Sequence, residues 1–278
     1  YSAGGSSDTL CRLLAAKVGE KLGTTVTVEN VTGASGWVMW NQMMESTKPD
    51  GYSFFLINSP NVTTGKYDPD NTMKYDQNDF EMICNEVTDS NCLAIRVDDD
   101  RYSDWDSFAA YWKQAGSLIT SASGLGITSD DATADMLVAN DLGVDVDIIA
   151  SGGSGDNVTF LLNGTTDFLM GNVSEMVAAH NDGQFKILCV FAEERDSNLP
   201  DVPTYEELTG SSRGYAMLKD VPDDIKQILG DAVKAAVQDP DLIEQLNAIY
   251  TTTDYKEGQE YVDYMNQQQQ QARETWGV

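Results

Sequence analysis

Histidine is almost missing from this chain: His180 is the only one in 278 residues. A single imidazole excludes most conventional acid–base constellations and any zinc site built on paired histidines. Cations are scarce as well, with 17 Lys+Arg against 45 Asp+Glu and a net charge of −28. That balance excludes nucleic acid as a partner, because phosphate contacts need clustered positive charge. The four cysteines form no Cys-x-x-Cys pair, so no metal knuckle or redox motif is expected. Cys11 and Cys189 read as small core residues. Cys84 and Cys92 flank a turn at Asp89-Ser90-Asn91, and a disulfide across it stays open beside two free thiols because strand register is not set by sequence. No apolar run approaches the roughly 18 residues of a membrane span. A His-Glu-x-x-His pair and a Walker loop are absent from the sequence, which argues against an enzyme. Paired Asp/Glu chemistry of the hydrolase kind is the alternative that so many acids leave open. Asp68-Pro69-Asp70 and Asp76 to Asp79 lack the glycine and terminal glutamate of a calcium loop, so they read as solvated loops, with no metal and no cofactor expected.

What the chain does have is three Gly/Ser clusters: Ser2 to Asp8, Ser121 to Ser129, and Ser151 to Asp156. Each runs into a segment patterned as a helix. Such turns aim backbone N–H groups outward, glycine tolerates positive φ and close approach, and a helix N-terminus adds partial positive charge. The chemistry offered is capture of an anion without a cationic side chain. The acidic surface does not forbid this, since salt confines its field to about 8 Å.

Between the clusters runs an alternation of helices and strands. Leu10, Leu13, Leu14, Val18 and Leu22 space a helix that Asp8 can cap. Thr25–Glu29 and Tyr52–Ile57 read as strands, residues 80–87 and 92–97 as a strand pair, and a helix opens at Gly33-Ala34-Ser35-Gly36. Helices near 103–114, 129–141, 155–162 and 173–181 interleave with strands at 117–121, 145–149, 166–170 and 185–191. Mostly parallel sheet covered by helices is the expected fold class, α/β. A short strand at 212–217 and helices at 221–238, 240–248 and 256–276 close the chain, with Gln267 to Gln271 read as a solvent face. The length favours two domains, and chain crossings near 97 and 210 divide them as 1–97 plus 211–278 and 98–210. A Gly-rich loop entering a helix normally follows a strand, which places a first strand, and an export signal before it, ahead of Tyr1. Asn172 and Ser174 follow a strand end, where helix capping competes with a ligand role. His180 reads as a surface or dipole-complementing residue.

The runs Ala3-Gly4-Gly5-Ser6-Ser7-Asp8, Gly33-Ala34-Ser35-Gly36 and Pro49-Asp50-Gly51-Tyr52 resemble, in order and spacing, the substrate-binding proteins of tripartite tricarboxylate transporters, the Bug/TctC type. Ser123-Gly124-Leu125-Gly126, Gly152-Gly153, Leu161-Leu162-Asn163-Gly164 and Leu199-Pro200-Asp201-Val202-Pro203-Thr204 extend the resemblance over essentially the whole chain. It implies a two-lobed, type II periplasmic-binding-protein-like fold that closes on a small organic carboxylate and delivers it to membrane permease subunits. It further implies an extracytoplasmic monomer, periplasmic or held at the cell surface as a lipoprotein. Carried over residue by residue, it assigns Ala3, Gly4, Gly5, Ser6, Ser7 and Asp8 to a first ligand loop and Ser123, Gly124, Gly126 and Thr128 to a second. Ser59 and Asn61 fall in a third contact region, and Asn172 at a strand end beside the cleft. Asp8 would repel a carboxylate directly, so it is expected to fix its loop, or to hold an amino group of the ligand. The chain departs from the family where Ala150-Ser151-Gly152-Gly153 replaces Tyr-Lys-Gly-Gly, where Asp130-Asp131 stands near the usual histidine, and in a short link from Leu208 to Ser211. A sensor presenting the same lobes to a signalling receptor is the rival reading.

Overall fold

The helix-forming spacing of leucines and valines after the first Gly/Ser cluster produces α1 (Ser6–Leu22), which buries Leu10, Leu14 and Val18. The computed structural model describes residues 1, 3–4, 6–33, 36–68, 73–123, 126–205 and 211–278. After α1 come α2 (Trp37–Ser46), β1 (Phe55–Ser59), the short α3 (Asn61–Thr64), β2 (Glu81–Asp89) and β3 (Asn91–Arg96). Next are α4 (Trp105–Ala115), β4 (Ser117–Ala122), α5 (Asp130–Leu142), β5 (Asp145–Ala150), α6 (Ser154–Leu162), β6 (Leu169–Asn172), α7 (Val173–Asn181), β7 (Phe185–Phe191) and β8 (Thr204–Tyr205). The chain closes with β9 (Ser211–Met217), α8 (Asp223–Val237), α9 (Pro240–Asn247) and α10 (Gly258–Trp276).

The chain divides into two compact units, one of residues 1–88 and 212–269 and the other of 89–211 and 270–278. The expected boundary at 97/98 moves to 88/89 because β3 spends both its edges inside the second unit, on β6 and β7. The last nine residues also join the second unit, where Trp276 Nε1 donates to Thr133 Oγ1 at 3.1 Å.

In the first unit the sheet order is β1-β9-β2, with β1 antiparallel to β9 from Phe55↔Ala216 to Ser59↔Ser212. The free side of β2 is covered by the segment before α10, through Asn85 N to Lys256 O (2.8 Å) and Asp254 N to Glu86 O (2.9 Å). Trp37, Trp40, Ile57, Tyr215 and Tyr261 fill the core. In the second unit β6-β3-β7-β8 form one sheet and β4-β5 a parallel pair. There β3 runs against both β6 and β7, while β7 and β8 are parallel. In the larger sheet β6, β7 and β8 thus share a direction, as helical crossovers require. Phe108, Trp112 and Phe168 pack one side of this unit, and Leu161, Val177 and Ile187 another.

Two sequence expectations fail here for reasons of pairing. Residues 80–87 and 92–97 do not make a hairpin: β2 belongs to the β1-β9-β2 sheet and β3 to the other. Cys84 and Cys92 are accordingly free buried thiols, and burial pushes Cys84 up to about 12. Thr25–Glu29 is not a regular strand, since no ladder partner lies beside it among the described residues. The Gln run is also not simply a solvated face. Gln268 is buried, donates Nε2 to Tyr264 Oη (2.8 Å) and accepts from Ser59, while Gln269 donates to the Thr63 carbonyl.

Candidate functional site

Both oxygens of Asp8 are spent inside the first Gly/Ser loop. Oδ2 accepts from Gly4 N (2.8 Å) and Arg12 Nε (2.9 Å), and Oδ1 accepts from Asn30 Nδ2 (2.7 Å). Arg12 Nη2 in turn donates to Asn30 Oδ1 at 2.9 Å. Asp8 is therefore not the cap residue itself: α1 begins at Ser6, and from its first turn the carboxylate reaches back to the loop amide, much as a capping box does. The Arg12 guanidinium foremost, with the Gly4 amide and Asn30, holds this buried carboxyl far below the usual carboxylate range. Its charge is neutralised on one side, so it organises the loop instead of facing a ligand. Gly4 adopts φ +84°, and a Cβ there would meet nothing within 4 Å, so the turn needs glycine for its backbone and leaves open space above it. Ala3, Gly4 and Ser6 are exposed and Ser7 half-buried. α1 begins at Ser6, so Ser6 and Ser7 stand in its first turn. Gly5 lies outside the described residues.

Ser59 and Asn61 are placed differently. Ser59 is fully buried, and its hydroxyl donates to Gln268 Oε1 at 2.8 Å. Asn61 opens α3 and accepts from Asn58 Nδ2. Together they lock the end of β1 against α10 within the first unit.

In the second unit β4 delivers Ser123, which is exposed, into the loop that opens α5. Gly126 has φ +106°, its carbonyl accepts from Ser129 N (3.0 Å), and Ser129 Oγ caps the helix at Ala132 N (3.2 Å). Thr128 is half-buried beside it, and Gly124 falls outside the described residues. Ser123 N reaches Asp131 Oδ2 at 3.5 Å, and Ser123 Oγ accepts from Asn157 Nδ2 at 3.3 Å. Asp131 and Asp135 are buried on one face of α5. Burial, with Asp130 beside the first and Asp131 beside the second, raises both carboxyls well above their ordinary range.

The third cluster shows what the sequence reading missed. Gly4-Gly5-Ser6-Ser7-Asp8 and Gly152-Gly153-Ser154-Gly155-Asp156 are one motif, Gly-Gly-Ser-x-Asp, used once in each unit. Gly152 N donates to Asp156 Oδ2 at 3.0 Å, repeating the Gly4–Asp8 bond. A self-comparison of the sequence at a spacing of 148 residues would have found it.

Asn172 precedes α7 but makes no side-chain cap; its Nδ2 donates to Asp89 O (3.2 Å). The cap comes from Asp89, whose carboxylate accepts from Ser174 N (3.1 Å) and from the Ser174 hydroxyl. His180 Nδ1 accepts from Ile187 N (3.2 Å), tying α7 to β7. Asp76 is occupied by Lys66 and by capping the turn at Gln77–Asp79, and among the described residues no group of acids, cysteines or histidine is arranged to hold a metal.

Glycine turns at helix starts, with Arg12 held by Asp8 and Asn30 in the first of them, suit the capture of a small anion, and comparison with known proteins gives the family. The model of the tripartite tricarboxylate transporter family receptor matches residues 10–275, and the chain belongs to that family. It is 29% identical over 274 residues to a UPF0065 protein of Cupriavidus necator, covering 95% of this chain and 80% of that protein. A TctC solute-binding protein from Polaromonas, solved without ligand, superposes with a TM-score of 0.85 at 26% identity, covering 99% of this chain and 94% of that one. Two structures from Rhodopseudomonas palustris share the fold: one with adipate (TM-score 0.81, 21% identity, 100% and 95% covered) and MatC with bound malate (0.75, 22%, 100% and 95%). No helix among the described residues is long and apolar enough to cross a membrane.

Proposed function

We propose that this protein captures a small organic carboxylate outside the cytoplasm and hands it to permease subunits of a tripartite tricarboxylate-type transporter, acting as a monomer and without chemical change to the ligand. The observation that carries the reading is the first loop. Its glycine turn and first-turn amides stand at the start of α1 while Asp8 is tied to Arg12, Asn30 and Gly4. The proposed holding groups are the amides and hydroxyls of Ala3 to Ser7, with Asp8 as the residue that shapes them. In the second unit the proposed groups are Ser123, Gly124, Gly126 and Thr128. Ser59, Asn61 and Asn172 are proposed to support the site through their neighbours. Malate and adipate, held by two proteins of the same fold, make dicarboxylates the first ligands to try.

The test is a thermal-shift screen against aliphatic dicarboxylates, tricarboxylates, aromatic carboxylates and acidic amino acids. Ligand at a hundred times its dissociation constant adds about 2.7 kcal/mol, which raises the melting midpoint by about 5 °C or more. A panel in which no carboxylate shifts the midpoint would refute the proposal.

A further inference from the structure

The Gly/Ser loops of the two units differ in the charge beside them. In the first, the Arg12 guanidinium neutralises Asp8. In the second, the amide of the exposed Ser123 meets Asp131 Oδ2 at 3.5 Å, long for a hydrogen bond. The charges that act most on Asp131 are those of Asp130 and Glu175, both of its own sign. Glu175 is exposed on α7 and accepts from Ser154 Oγ, in the third Gly/Ser cluster, at 2.6 Å. Among the described residues no lysine or arginine pairs with Asp131 or Glu175; Arg96 and Arg101 give their ion pairs to Asp98, Asp99 and Asp167. Asn157 is an independent sign of the same want. It is 1% exposed, its Nδ2 donates to Ser123 Oγ at 3.3 Å, and its Oδ1 has no hydrogen-bond partner. A buried carbonyl without a donor is costly, and this one belongs to an amide already turned on Ser123.

We propose that the ligand carries a primary ammonium group besides its carboxylate, and that Asp131, Asn157 and Glu175 hold that group at Ser123. The inference rests on the carboxylate reading above, in which the first loop takes the anionic end. The three N–H donors of an ammonium match a cluster made of acceptors. Burial lifts the Asp131 carboxyl well above its ordinary range, and a cation within hydrogen-bond reach favours its charged form again. A second carboxylate brought to Ser123 would instead face Asp130, Asp131 and Glu175 as like charges, with no cation to offset them.

The test is calorimetric titration with glutarate, with 4-aminobutyrate, which puts an ammonium where glutarate has its second carboxylate, and with L-glutamate, which adds an ammonium to glutarate. One of the two amino acids is expected to bind at least about tenfold more tightly than any ammonium-free carboxylate of the screening panel, roughly 1.4 kcal/mol. In Asp131→Asn, which keeps the shape of the side chain, that preference should vanish while glutarate binds as well as before or better. Glu175→Gln, at an exposed position, should cut the preference about threefold, the effect of an exposed charge. An ammonium-free carboxylate binding as tightly as both amino acids, or a preference that survives Asp131→Asn, would overturn the proposal and leave the carboxylate reading standing. Calcium or potassium chloride alone raising the melting midpoint as far as the amino acids do would assign the acceptors to a metal ion and overturn it too. If no acid of the panel binds, the carboxylate reading itself fails, and this inference with it.

Discussion

Glu86 offers a pH test of the first unit's core. It lies on β2 with no exposed surface, accepts from Tyr215 Oη at 2.6 Å through Oε2, and its Oε1 has no hydrogen-bond partner. Burial raises its carboxyl from an ordinary 4.5 to about 7, against a smaller opposing effect of the Tyr215 hydroxyl. A carboxyl raised in the folded state favours folding while it is protonated, so its contribution is fully present below about pH 4.5 and is lost as pH rises through 7. The difference between 4.5 and about 7 corresponds to about 3 kcal/mol. Substituting Glu86→Gln keeps an acceptor for Tyr215 and removes the titration. Urea unfolding of both proteins from pH 4 to 8 should show the variant gaining about 3 kcal/mol on the wild type across that range, with the change centred between pH 5 and 7. The other acids titrate equally in both and cancel in the difference. Parallel pH profiles would refute the reasoning, and so would a variant that loses ground as pH rises.

Asp89→Ala removes the cap that α7 borrows from the β2–β3 turn, through Ser174 N and the Ser174 hydroxyl. It should cost about 1–2 kcal/mol in urea unfolding, whereas Asn172→Ala, which breaks no cap, should cost less. Gly214→Ala in β9 would set a Cβ 2.4 Å from Cys84 O and 2.6 Å from the Tyr261 ring. With β2 unable to yield, chemical denaturation should register a loss of about 3 kcal/mol.

Local signals carried far in this chain. The leucine and valine spacing of α1 and the runs that became β4, α5, β5 and α6 each depend on a period read within one segment. Elements that depend on a distant partner were not legible in that way. Thr25–Glu29 has the pattern of a strand, but a strand exists only where a ladder accepts it. The pair 80–87 and 92–97 looks like a hairpin because nothing local reveals that β3 takes its bonds from β6 and β7. The Gln run looks solvated until Gln268 is seen holding Ser59. In the candidate site the glycine loops were visible as glycine loops. That Asp8 fixes its loop was expected from the sequence; its bond to Asn30 was not legible, because that residue lies 22 residues away.

Calorimetric titration of the wild type and Gly4→Val with the carboxylate that gives the largest thermal shift tests the central claim. Valine at φ +84° strains the turn and fills the open space above it. Lost hydrogen bonds to a charged group cost about 1.5–3 kcal/mol each, so affinity should fall at least about a hundredfold, roughly 2.8 kcal/mol, while the unfolding midpoint without ligand changes little. Unchanged affinity would contradict the account by placing the carboxylate elsewhere.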